Sequence, residues 1–217
     1  KINEVRNRKK TPILVGGTGL YFKALTDGLV EIPNISFKLR NQIRSLQKKI
    51  GQKKFYEKLL KLDPLSKGKI NPTDTQRSIR AYEVKKFTKK PIHEWFKKTK
   101  SNFLEIEFFK VYIDFPRKEL IERINLRTNL MIENGAIKEV KNFIKLKIRK
   151  DRSANKAIGV MEIKDYLNNE KDLEQIKEKI AIKTRQYAKR QSTWARGNMM
   201  SWIKLKPQDI NKFLKKI

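Results

Sequence analysis

The segment Ile13-Leu14-Val15-Gly16-Gly17-Thr18-Gly19-Leu20-Tyr21 restricts the fold more than any other part of the chain. Residues 12–15 are apolar without a polar interruption, so a strand here is expected to be buried on both faces, as in a parallel sheet. The glycines then turn the chain and a helix opens through Ala24 and Leu25. Strand, turn and helix in that order belong to an α/β sheet. The turn is neither G-x-x-x-x-G-K-[ST] nor a complete G-x-G-x-x-G, because Phe22 holds the place of the last glycine. A tight strand-to-helix turn accounts for it without a ligand.

Strand character returns at residues 108–115, aromatic and β-branched, and Pro116 then starts a helix. That helix, over 117–134, carries apolar Leu120, Ile121, Ile124, Leu130 and Met131, has Arg123 and Arg127 one turn apart, and closes at Gly135. A further helix is expected over 136–148, an exposed link at 150–153, a helix capped by Ser153 through Glu162, and a last strand at 199–205. Between the flanks, residues 31–107 are basic and helix-rich, with helices at 37–50 and 55–62 and breaks at Pro64 and Pro72. Thr73-Asp74-Thr75-Gln76 reads as a capping box, opening a helix on which Gln76, Arg77 and Arg80 cluster where backbone N–H groups already favour an anion. His93 reads as a packing or surface histidine. The organisation expected is an α/β core formed by 1–30 and 108–217, with strands 12–15 and 108–115 in one sheet, enclosing a helical insertion at 31–107.

The helix from Asp172 runs into Thr184-Arg185-Gln186-Tyr187-Ala188-Lys189-Arg190-Gln191-Ser192-Thr193-Trp194-Ala195-Arg196. At about 100° per residue, Arg185, Lys189, Ser192 and Arg196 share a narrow arc, and Ile180, Tyr187 and Trp194 repeat on the far side as a packing stripe. Cations interleaved with amides and hydroxyls suit phosphate and sugar. Composition supports a polyanionic partner: 53 Lys+Arg against 23 Asp+Glu give a net charge of +30 over 217 residues. Part of that excess reflects a lysine-rich composition, so individual arginines count for more than the total. With no cysteine and a single histidine, disulfides, thiolate metal sites and histidine clusters are excluded. No apolar run is long enough to span a bilayer.

Five motifs, in order and spacing, resemble the tRNA dimethylallyltransferases (tRNA isopentenyltransferases): Gly16 to Tyr21; Pro72 to Arg77 with Arg80; Met131 to Gly135 with Glu139-Val140; Lys156-Ala157-Ile158-Gly159; and Thr184 to Trp194. The resemblance implies a phosphate-binding-loop-kinase-like parallel-sheet core, here incomplete, with an inserted all-helical module gripping the tRNA anticodon stem-loop. It implies transfer of a dimethylallyl group from dimethylallyl diphosphate to the exocyclic amine of the adenosine 3′ to the anticodon, with Mg2+ accompanying the diphosphate. Thr18 then lines the channel for the turned-out adenosine, and Arg127, with Arg185, lies near the diphosphate. Arg40, the segment Gln76-Arg77-Ser78-Ile79-Arg80, the segment Lys156-Ala157-Ile158-Gly159, and Lys189, Arg190, Gln191 and Arg196 face tRNA. Val160 and Ala195 stand where bulkier residues are usual. The family's phosphate-binding loop and general-base aspartate cannot be placed in this sequence, so the chain is expected to start partway through a larger protein and to be inactive by itself. A cytoplasmic monomer is expected. The competing reading is a basic RNA-binding module or an inactive remnant, which equal charge would serve but which needs no glycine-threonine turn.

Overall fold

A computed structural model describes residues 1–149 and 152–215. The chain divides into two compact units, one of Lys1–Gly19 with Phe109–Ile217 and one of Leu20–Phe108. The helical stretch 31–107 thus falls inside the second unit.

The first unit begins with helix α1 (Ile2–Asn7), on which no residue is buried. Irregular chain follows to Thr18, and α2 (Gly19–Thr26) leads into the second unit. There α3 (Phe37–Leu62) is capped by the Ser36 hydroxyl and is interrupted at Gly51, whose φ of 77° and ψ of 167° are not helical. The break falls between the two helices expected from sequence. After a single 3-10 turn, α4 (Thr75–Thr88) and the short α5 (Ile92–Phe96) complete the unit. Helices α3 and α4 close over Ile43, Phe55, Leu59, Ala81 and Val84, all buried. Burying apolar side chains of this size contributes about 1.5–3 kcal/mol each, so this core alone can hold the pair together. The cap of α4 is Asp74, which accepts the Arg77 N–H at 2.9 Å; Thr73 instead donates to Asn71, so the Thr73–Gln76 box does not form. His93 is half-buried, edge-on to Phe96, and burial followed by the charge of Lys69 lowers its pKa, against a smaller upward pull from Asp63.

The chain then returns to the first unit through β1 (Val111–Ile113), α6 (Arg117–Glu133), α7 (Ala136–Lys145), α8 (Val160–Leu167), α9 (Leu173–Asn198), β2 (Ile203–Leu205) and α10 (Ile210–Leu214). Its core joins Ile132, Ala136, Val140, Ile163, Ile176 and Ile180 from four of these helices. The long α9 starts with a reciprocal cap: Asp172 accepts the Gln175 N–H at 2.8 Å and donates its own N–H to the Gln175 side chain.

The sheet among the described residues is two-stranded and parallel, β1 beside β2, with Tyr112 opposite Lys204. This corrects the expected neighbour of residues 108–115. Residues 13–15 form no strand, and Ile13 and Val15 are 83% and 92% exposed. An apolar run becomes a strand only against a ladder partner that accepts its N–H groups, and among the described residues no strand pairs with 13–15. Ser153 does not cap a helix either. It begins a 3-10 turn, and α8 starts only after Gly159, where φ is 102°. Of the link expected at 150–153, Lys150 and Asp151 lie outside the described residues.

Candidate functional site

In the first unit, α9 holds the glycine-threonine turn. The Gln191 side-chain amide donates to the Gly17 carbonyl at 2.8 Å, and the Trp194 indole lies against Gly19, where a Cβ would meet Trp194 Cδ2 at 2.7 Å. Thr18, exposed, sits between these two fixed points. The glycines are therefore there to let a helix approach the backbone. Gly19→Ala is expected to push the indole away at a cost of about 1–3 kcal/mol, read as a lowered denaturation midpoint with altered tryptophan emission. Unchanged emission and stability would show that the indole does not rest on Gly19.

Along the same α9, α6 and the 156–158 segment complete a cleft of about 520 Å³. Arg127 and Thr128 line it from α6, Lys156, Ala157 and Ile158 from the connecting segment, and Thr184, Tyr187 and Arg190 from α9, with Ile124, Met131 and Ile180 as apolar floor. The hydroxyls of Thr128 and Thr184 are donated to the carbonyls of Ile124 and Ile180, both at 2.8 Å. What remains is cationic and apolar, with no acidic residue in the lining. Such a lining fits an anion that carries a short hydrocarbon.

The cleft brings together Arg127, Lys156, Ala157, Ile158 and Arg190, expected from sequence as site residues, and leaves others out. Arg185 is half-buried and donates to the Asn125 side chain at 3.3 Å, outside the cleft lining. Lys189 and Arg196 are exposed on α9. Tyr187, read as packing, is 43% exposed, lines the cleft and carries the Arg190 guanidinium 5.6 Å from its ring centre. The face of α9 that meets the cleft and the turn is thus Ile180, Thr184, Tyr187, Gln191 and Trp194, with Arg190 at its edge, and not the arc of Arg185, Lys189, Ser192 and Arg196. The signal was present: an aromatic and an amide repeating on one stripe between cations.

Gly159 is buried, and its neighbour Glu162, 1% exposed, holds it in place. The Glu162 carboxylate accepts the Gly159 N–H at 2.9 Å and pairs with Lys183 of α9. Burial pushes the Glu162 pKa up, but the hydrogen bond from Lys183 and the backbone N–H groups outweigh it and hold the carboxyl below its usual value. A charged Glu162 thereby ties the 156–158 wall of the cleft to α9. Sequence reading missed this glutamate because charge alone does not reveal burial.

In the second unit, Gln76 and Arg77 are exposed at the start of α4, and Arg40 and Arg80 face the same buried carboxylate, Glu83. Ser78, expected to face RNA, is fully buried and accepts from Gln52 at 3.1 Å; Ile79 packs on the core. Helical periodicity turns these two inward while Gln76 and Arg77 stay outward and Arg80 lies half-buried beside Glu83.

The model of the family described as IPP transferase matches residues 1–198. The tRNA dimethylallyltransferase of Pelagibacter ubique (strain HTCC1062) is 57% identical over 217 residues, which is 100% of this chain and 69% of that protein. That of Rickettsia massiliae (strain Mtu5) is 41% identical over 214 residues, 98% of this chain and 59% of that protein. Among solved structures, a eukaryotic dimethylallyltransferase acting on tRNA aligns over 100% of this chain and 57% of its own, with a TM-score of 0.79 and 26% identity. The full-length tRNA isopentenylpyrophosphate transferase of Bacillus halodurans aligns over 94% of this chain and 63% of its own, at 0.56 and 31%. The chain therefore spans from just over half to about two thirds of these relatives. A match over nearly the whole sequence, with the glycine turn, the 156–159 segment and α9 folded into one cleft-bearing unit, leaves one assignment: the chain belongs to the IPP transferase family.

Proposed function

We propose that the chain serves tRNA modification by prenyl transfer, its first unit receiving dimethylallyl diphosphate and the turned-out adenosine, and its second unit holding the anticodon stem-loop. The observation that carries this reading is the cleft, where Arg127, Lys156 and Arg190 share a lining with apolar Ile124, Met131 and Ile158. Dimethylallyl diphosphate has that same pairing of a charged head and a five-carbon tail. In the reaction the adenosine amine nitrogen bonds to C1 of the prenyl group, the C1–oxygen bond breaks, and its electron pair leaves with diphosphate. The amine proton passes to a base that we assign to none of these 217 residues. Arginine and lysine stabilise the departing charge, and Arg190 takes the place first given to Arg185. Turning the adenosine out costs about a few kcal/mol, which contacts from Thr18 and from RNA-facing cations offset.

Among the described residues no group of three or more acidic or histidine side chains converges as a metal site. Magnesium beside a phosphate substrate is held mainly by phosphate oxygens and water, so we propose it as the counter-ion carried in with the diphosphate. Among the described residues no helix is long and apolar enough to cross a membrane.

The net charge of +30 favours, as a second reading, a non-catalytic RNA-binding module. A chimera separates the two. When this chain replaces the matching 217 residues of the Pelagibacter relative, the full-length product is expected to prenylate an anticodon stem-loop. Thr18→Ala in that chimera is expected to slow transfer about tenfold or more while stem-loop binding changes less than about threefold. Equal losses would remove Thr18 from the channel, and a chimera that binds RNA without prenylating it would support the second reading.

A further inference from the structure

Glu83 on α4 is 3% exposed at its side chain and is approached by three guanidinium groups: Arg40 Nε at 4.0 Å, Arg44 Nε at 3.7 Å and Arg80 Nη1 at 3.6 Å. All three separations exceed hydrogen-bond length. Both Arg40 Nε and Glu83 Oε1 are buried atoms that no hydrogen bond reaches. One carboxylate cancels one of three positive charges, and the arginine side chains remain 34%, 56% and 38% exposed. The cluster is thus a buried anion under a partly solvated surface of excess cations with donors to spare. A brace between α3 and α4 does not need this arrangement, because the apolar core already joins the two helices and three guanidinium groups on one carboxylate repel one another. What such a cluster lacks is a second anion with several oxygens, and a phosphodiester supplies it.

We propose that Glu83 gathers Arg40, Arg44 and Arg80 into a clamp for one backbone phosphate of the RNA, with Arg44 its third arm and Glu83 a positioning residue that touches no RNA. The inference rests on the reading that the second unit holds the anticodon stem-loop.

The test is fluorescence anisotropy of the 217-residue chain with a labelled anticodon stem-loop over a range of salt concentrations. Arg44→Ala is expected to weaken binding about tenfold at low salt and to flatten the log–log salt slope by about one. Arg44→Lys, which keeps the charge but not the fork, should restore the slope and only part of the affinity. Glu83→Gln makes the chain more positive, so charge alone would tighten binding; the clamp requires weakening of several-fold with the melting temperature checked in parallel. Affinity that is unchanged or improved in a folded Glu83→Gln, or an Arg44→Ala slope equal to wild type, overturns the clamp while stem-loop binding stands. If Glu83→Gln does not fold, the two Arg44 variants decide. A wild-type chain that binds the stem-loop no better than an unstructured RNA of equal length removes the anticodon reading and the clamp together.

Discussion

Arg127→Ala is expected to weaken binding of inorganic pyrophosphate by about ten- to a hundredfold, since charge-assisted hydrogen bonds to a phosphate contribute about 1.5–3 kcal/mol. Titration calorimetry on the 217-residue chain measures it. Arg185→Ala serves as the comparison, because Arg185 is engaged with Asn125 and absent from the cleft lining. Its substitution should leave pyrophosphate affinity within about twofold of wild type, a change too small to reflect a lost charge-assisted contact. The reverse outcome, loss with Arg185 and not with Arg127, would return the diphosphate to the opposite arc of α9 and empty the cleft of its proposed role. Stem-loop affinity should change little in either variant, which keeps this effect separate from RNA binding.

Glu162→Ala is expected to cost about 2–3 kcal/mol at neutral pH, from the unpaired Gly159 N–H and the loss of the Lys183 ion pair. The figure falls below the range of about 3–5 kcal/mol for a broken buried pair because Lys183 is 44% exposed and stays hydrated when abandoned. The effect should depend on pH with a definite sign. The folded-state pKa lies below the ordinary value of 4.5, so the stabilisation is complete above that value and is lost as pH falls through the lower, folded one. Denaturant titrations at pH 7 and at several values below 4.5 should therefore show wild type and variant converging in acid. A gap that stays constant would mean the side chain acts by packing and not by charge.

These residues show what can be read before folding and what cannot. The order of helices, the stop of α6 before Gly135 and the place of the glycine turn all follow from local chemistry, since caps and turns are decided within a few residues. The strand expected at 12–15 depended on a partner elsewhere, and no local pattern reports whether one is there to pair with it. On α9 the angular grouping of residues was legible, yet which stripe meets a cleft depends on what packs beside it. Tyr187 and Arg190 could be placed only with α6 and the 156–158 segment in position. Ser78 shows the same limit at smaller scale: its segment was found, and the helix then turned that one side chain inward. Glu162 and Glu83, two carboxylates in a strongly basic chain, were hidden by the charge around them.

The break at Gly51 has a bearing on how the arginine cluster tolerates change. In an unbroken helix the azimuth of Arg40 would be locked to that of Phe55 by the helical phase, and any residue gained or lost between them would rotate the guanidinium groups away from α4. With φ at 77° at Gly51, the two halves of α3 keep independent phases. The segment bearing Arg40 and Arg44 takes its rotation from its own contacts, Ile43 in the core and the two arginines at Glu83 of α4, so a residue gained or lost in the half that bears Phe55 leaves the aim of these arginines unchanged.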